Sequence, residues 1–101
     1  MREVILSADY KAKVYSVPDE VADNLDKYCF EFTDWMWKNP NGAHLLQVHQ
    51  DQKVAVYDET DFVAYLNKWV FPNQQSSLVK ELDVYFDEVS EKYGRYPWFN
   101  F

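Results

Sequence analysis

Residues 17–39, VPDEVADNLDKYCFEFTDWMWKN, carry the periodicity that decides the fold class. Val21, Leu25, Tyr28, Cys29, Phe32, Trp35 and Met36 recur at helical spacing, so one side of a helix is apolar and needs a core to bury it. Pro18 suits a first helical turn, and Asp19 and Glu20 are favourable at the positive end of the helix dipole. Pro40 disfavours helical geometry at Asn39, and Asn41-Gly42 is a turn pair, so the helix is predicted to stop there.

Around this helix the pattern becomes β-rich. REVILSA (2–8) and KAKVYSV (11–17) read as a strand pair around Asp9-Tyr10, and AHLLQVHQDQKVAVYD (43–58) reads as a second hairpin around a polar Gln50-Asp51-Gln52. Asp58 or Thr60 is placed to cap a helix over residues 59–71, with Phe62, Leu66, Trp69 and Val70 as its buried stripe. After the loop PNQQSS, SLVKELDVYFDEVSEKY (77–93) aligns Leu78, Leu82, Tyr85, Phe86, Val89 and Tyr93. That spacing predicts a third helix, capped by Ser76 or Ser77 and stopped by Gly94. The expected architecture is one α+β domain over residues 1–101: a small antiparallel sheet of two hairpins with three helices, in the order ββαββαα.

The chain closes with GRYPWFNF (94–101). Gly94 and Pro97 prevent helix continuation, so the segment is expected to run extended and to need an apolar surface. Tyr96, Trp98, Phe99 and Phe101 are therefore a candidate docking tail. It has three intramolecular or exchanged destinations: the back of the first helix, the main core, or a second copy of the chain.

Four Trp, eight Tyr and seven Phe among 101 residues make large flat rings the main core material and argue against disorder. The net charge of −7 and the scattering of ten basic residues oppose direct nucleic-acid binding. No stretch approaches the ~20 apolar residues of a membrane span, and the apolar run in MREVILSADYK is too short for a signal peptide. With Cys29 as the only cysteine, no intramolecular disulfide forms. A cytoplasmic setting is the expectation, without membrane association.

Reactive constellations are lacking at the level of sequence. His44 and His49, five apart in an expected strand, point to opposite faces and do not chelate together. Cys29 lies on the buried helix face, as a small hydrophobe would. Two glycines, Gly42 and Gly94, supply no phosphate-cradling loop. The acids of DETD (58–61) fit a helix N-terminus better than a calcium loop. No catalytic residue, cofactor or metal site is expected.

One surface stands outside the expected core. Phe30 and Trp37 lie two turns apart on a helix face that also carries Asp19, Asp23, Asp26 and Asp34. Rings rimmed by charge are an interface pattern, since the rings supply binding energy and the rim supplies orientation. Asp23, Asp26, Phe30, Asp34 and Trp37 are thus the candidate interaction surface. The leading expectation is a small non-catalytic protein of inhibitor, immunity or adaptor type that binds another protein, or itself as a homodimer. An enzyme with carboxylate chemistry and an acidic nucleic-acid mimic directed at a DNA-binding protein are the alternatives.

Overall fold

The computed structural model describes residues 1–8, 11–85 and 93–101. Its element order is β1 (Arg2–Ala8), β2 (Lys11–Val17), α1 (Asp19–Asp23), α2 (Leu25–Lys38), a 3-10 helix (Pro40–Leu45), β3 (Leu46–His49), β4 (Gln52–Ala55), α3 (Glu59–Tyr65), a π-helical turn (Leu66–Val70), β5 (Ser77–Tyr85) and β6 (Trp98–Asn100). The fold is α+β. The strands form a four-stranded sheet in the order β5-β2-β1-β6 and a separate two-stranded sheet, β3-β4.

β1 and β2 pair antiparallel, with Val4 opposite Tyr15 and Ile5 opposite Val14. Both strands are central, and both faces of the sheet are covered. Val4, Leu6, Tyr15 and Val17 face the helices, while Ile5, Ala12 and Val14 pack against Leu82, Tyr93 and Tyr96. This explains the unbroken Val4-Ile5-Leu6 run, because a strand buried on two sides needs apolar residues at consecutive positions.

The helix anticipated from Pro18 to Lys38 is two helices. Asn24 leaves helical geometry at φ −135° and ψ 43°, and its side-chain amide donates to the Glu20 carbonyl at 3.0 Å. A side chain that competes for backbone hydrogen bonds in this way favours a break. Beyond the break, α2 buries Tyr28, Cys29, Phe32 and Met36 as its periodicity requires. The fully buried Phe32 meets Tyr65, Tyr57, Phe62, Trp35 and Phe101 at ring-centroid distances of 5.3, 5.5, 5.6, 6.2 and 6.3 Å.

α3 starts at a capping box: the Asp58 carboxylate accepts from the Thr60 and Asp61 N–H groups, and Asp61 accepts from the Asp58 N–H at 3.0 Å. Burial alone would raise the Asp58 pKa. The Thr60 hydroxyl and the backbone donors outweigh it and hold the carboxyl below its ordinary range.

The expected third helix is a correction. Ser77–Tyr85 is a strand, paired antiparallel with β2 through register shifts on either side of Lys13-Val14. Leu78 and Leu82 are four apart, a spacing that fits one helical turn and also two strand repeats, so the pattern alone did not separate them. Pairing with the otherwise open edge of β2 decides for the strand. Ser76 is no helix cap, since Asn67 clamps its backbone instead, accepting from the Ser76 N–H at 2.6 Å and donating to its carbonyl at 2.9 Å. Phe86 and Val89, assigned to the same helix, lie outside the described residues.

The tail does run extended, and as a strand. β6 pairs parallel with β1, with Ile5 opposite Trp98 and Leu6 opposite Phe99. The Ile5 N–H donates to the Pro97 carbonyl at 2.8 Å, and the Phe101 N–H donates to the Ser7 carbonyl at 2.9 Å. The Ser7 hydroxyl reaches Asn100 Oδ1 at 2.6 Å. Phe101 then enters the core, 5.4 Å from Phe62 and 6.0 Å from Tyr57. Replacing Phe101 by Ala is expected to cost about 3 kcal/mol, the low end for phenylalanine truncation because the ring is only partly buried. Urea unfolding monitored by circular dichroism measures it, and an unchanged midpoint would mean the ring contributes nothing to the core.

Candidate interaction surface

The α2 residues among the predicted surface, Asp26, Phe30, Asp34 and Trp37, occur at helical spacing on its outer side. Phe30 is 64% exposed and Trp37 is 47% exposed. Asp23 is separated from them by the break at Asn24 and forms an ion pair with Arg2. Asp19 is paired with the N-terminal amine at 2.9 Å, and Asp34 lies 3.4 Å from Lys38. Asp23 therefore belongs to a structural pair as well as to the surface.

The tail separates by side chain. Phe99 lies on the helix side of the sheet, with its ring edge-on to Phe30 at 6.0 Å and 86°. Tyr96 packs on the opposite sheet face. Trp98 alternates away from Phe99 and remains 45% exposed. Within the chain the tail packs mainly on the core, with an edge-on ring contact from Phe99 to Phe30.

Helix and tail meet at an open depression of about 490 Å³, walled by residues 22–27 on one side and Tyr96, Pro97 and Trp98 on the other. It brings Asp23 and Asp26 beside Trp98. Phe30 lies one helical turn beyond Asp26, whereas Trp37 is about 16 Å further along the axis than Asp26, at 1.5 Å per residue. The depression is thus lined by Asp23, Asp26, Lys27 and Trp98, with Phe30 one helical turn beyond Asp26 at its margin and Asp34 and Trp37 trailing further away.

The other sequence candidates fall as follows. His44 belongs to the 3-10 helix and not to a strand, while His49 ends β3. Among the described residues no group of three or more His, Cys, Asp or Glu is arranged to hold a metal. Burial pushes the Cys29 thiol far up, which leaves it protonated and a poor nucleophile. No helix among the described residues is long and apolar enough to cross a membrane.

Two features escaped the sequence reading. Glu59, one of the helix-start acids of residues 58–61, is only 3% exposed and pairs with Lys13 at 2.7 Å, tying α3 to β2. Donating this hydrogen bond to the Glu59 carboxylate raises the Lys13 pKa above its ordinary value. Trp69, expected in the core, is 45% exposed. It lines a cleft of about 260 Å³ with Trp35, Tyr65, Asn41, His44, Asp61 and Lys68. The chain matches no protein-family model, no curated protein and no solved structure.

Lys13→Met is expected to cost about 3 kcal/mol, because it strands a buried carboxylate, whereas Lys13→Met with Glu59→Leu should recover most of that loss. Chemical denaturation of the three proteins checks it; equal losses in the single and double variants would refute the pairing.

Alkali tests a second contact. The Tyr28 hydroxyl donates to Glu20 Oε1 at 2.8 Å. Burial, then Glu20, pushes its pKa up from 10.0 to about 12. The folded chain therefore holds this proton more tightly than the unfolded one, so the contribution is complete below pH 10 and is lost as pH rises from about 10 to about 12. Tyr28→Phe should flatten that decline in melting temperature, and an identical decline in the variant would remove Tyr28 from the explanation.

Proposed function

We propose that this chain is a small non-catalytic protein that acts by binding another protein, in the manner of an inhibitor, immunity protein or adaptor, through the groove at Asp26 and Trp98 with Phe30 at its margin. The observation that supports this reading is the depression that brings Asp23 and Asp26 beside Trp98, with the exposed Phe30 one helical turn along α2. Phe30 is 64% exposed even though the tail already packs against one of its edges. A helix and a paired strand hold the two sides of the groove, so little ordering cost remains to be met on binding.

The chemistry of the groove fits an interface anchor. Phe30 and Trp98 are large rings of the kind that dominate binding energy, and Asp26 and Lys27, with the Asp23–Arg2 pair behind them, give the rim charged groups that orient a partner. The net charge of −7 steers a basic partner from a distance. A second copy of the chain carries the same acids at the same positions, so charge disfavours self-association through this groove.

A photo-crosslinking residue placed at position 30 tests the reading, with one at position 53 on the separate hairpin as control. The expected result is an adduct specific to position 30, lost with Asp26→Lys, and a purified partner whose affinity falls at least tenfold with Phe30→Ser. The folded stability of Phe30→Ser should drop by only about 1 kcal/mol, the value of one edge-on ring contact. Equal adducts at positions 30 and 53, or unchanged affinity in Phe30→Ser, would overturn the proposal. A change in mass by light scattering in Phe30→Ser would assign the face to self-association instead.

A further inference from the structure

The cleft between the 3-10 helix and α3 takes no part in the groove and has a composition of its own. Its volume of about 260 Å³ lies below the ~300–1,000 Å³ of pockets for drug-sized molecules, so it accepts one small ring. One wall is aromatic. Trp35 lies 4.9 Å from Tyr65 at 49° and 6.3 Å from Trp69 at 46°.

Two irregularities of the backbone build this wall. A Cβ on Gly42 would come within 2.6 Å of Met36 Cα and 2.9 Å of Trp35 Cε3, so only glycine lets the 3-10 helix close on the Trp35 indole. A regular helix continuing from α3 would bury Trp69 on the stripe of Phe62 and Leu66. The π-helical turn at Leu66–Val70 instead leaves it 45% exposed at the mouth of the cleft. Such turns recur at functional sites.

Beside Leu45 and Ala64, the rest of the lining is polar and balanced in charge. His44 Nδ1 donates to the Asn41 carbonyl at 3.1 Å, which leaves Nε2 as an acceptor. Asp61 uses Oδ2 to accept from the Asp58 N–H at 3.0 Å, which leaves Oδ1 for a ligand. The Lys68 ammonium lies 5.1 Å from the centre of the Trp69 ring and supplies donors. The charges of Asp61 and Lys68 cancel.

These features select the ligand by elimination. A cation meets the like charge of the Lys68 ammonium, which lies 5.1 Å from the centre of the Trp69 ring. An anion meets Asp61. A flat heterocycle gains most between parallel rings at twice a single stacking distance, and indoles 6.3 Å apart and inclined at 46° do not offer that. A neutral ring with one C–H face and an edge of hydroxyl groups satisfies every part of the lining. We propose that the cleft binds a single neutral sugar residue, its C–H face against the exposed Trp69 indole and the edge of the partly buried Trp35 and its hydroxyls bonded to Asp61, His44 and Lys68.

The test is an NMR titration of the full chain, whose four tryptophans give indole N–H signals assignable by single Trp→Phe replacements. Glucose, galactose, N-acetylglucosamine and their disaccharides are the probes, with tetramethylammonium and inorganic phosphate as counter-probes. The expected result is a saturable, millimolar shift of the Trp35 and Trp69 signals by at least one sugar, with Trp37 and Trp98 unmoved. Trp69→Ala and His44→Ala should each weaken binding about tenfold, the first with a small drop in melting temperature from the lost Trp35 contact and the second with none. No shift with any sugar, a uniform shift of all four indoles, or tighter binding of either counter-probe would overturn the proposal. The same titration in Phe30→Ser should be unchanged, which separates this site from the protein-binding groove.

Discussion

Phe32 is the contact around which the rest of the molecule is arranged. It is fully buried and meets rings from α2 itself, from the segment before α3, from α3 and from the last residue of the chain. A core of this kind depends on the mutual angles of flat side chains, because edge-to-face and tilted pairs add to the burial of area. It also needs residues far apart in sequence to arrive together. Phe101 reaches Phe32 only because β6 pairs with β1, so the core is complete only when the two ends of the chain have met. Contacts of such separation slow folding, since loop closure comes before the packing gain.

The same constraint shapes the surface. α2 is gripped by rings on its inner side, which fixes what its flanks present. Phe30 goes to one flank beside Phe99, and Trp35 goes to another beside Tyr65 and Trp69. A side chain on a packed helix holds its position better than one on a loop, and this is the condition under which a few exposed rings become a defined site. The unusual aromatic content thus supplies both the core and the exposed rings of the proposed sites, which composition alone does not distinguish.

What the sequence made legible follows from how each signal arises. The α+β class, both hairpins and the buried stripe of α2 rest on local periodicity, and local periodicity survives folding. The break at Asn24 rests on one amide choosing the Glu20 carbonyl, a choice that no spacing displays. The Ser77–Tyr85 strand replaced a helix because Leu78 and Leu82 satisfy both repeats, and the open edge of β2 settled the matter from elsewhere in the chain. Trp69 was assigned to the core on the assumption of a regular helix, and the π-helical turn removed that assumption. Of the candidate surface, Phe30 and Trp37 could be seen as misfits to the apolar stripe, whereas the nearness of Trp98 to Asp26 depends on parallel pairing of the tail. The cleft was invisible because Gly42 reads as a turn residue, and its role is instead to let Trp35 approach.

The two candidate sites share α2 without being coupled through it. Coupling requires an element with two arrangements that each ligand biases differently. α2 has rings packed along its inner side and a capped, glycine-closed turn after it, an arrangement that tolerates few alternatives at native packing density. Residues that do not touch and do not share a movable element contribute additively. Phe30 and Trp69 meet this condition, as each contacts a different ring neighbour at the surface. On these two proposals a sugar in the cleft would leave the groove as it is and a protein in the groove would leave the cleft open, because the proposed sites rest on different side chains of one packed helix.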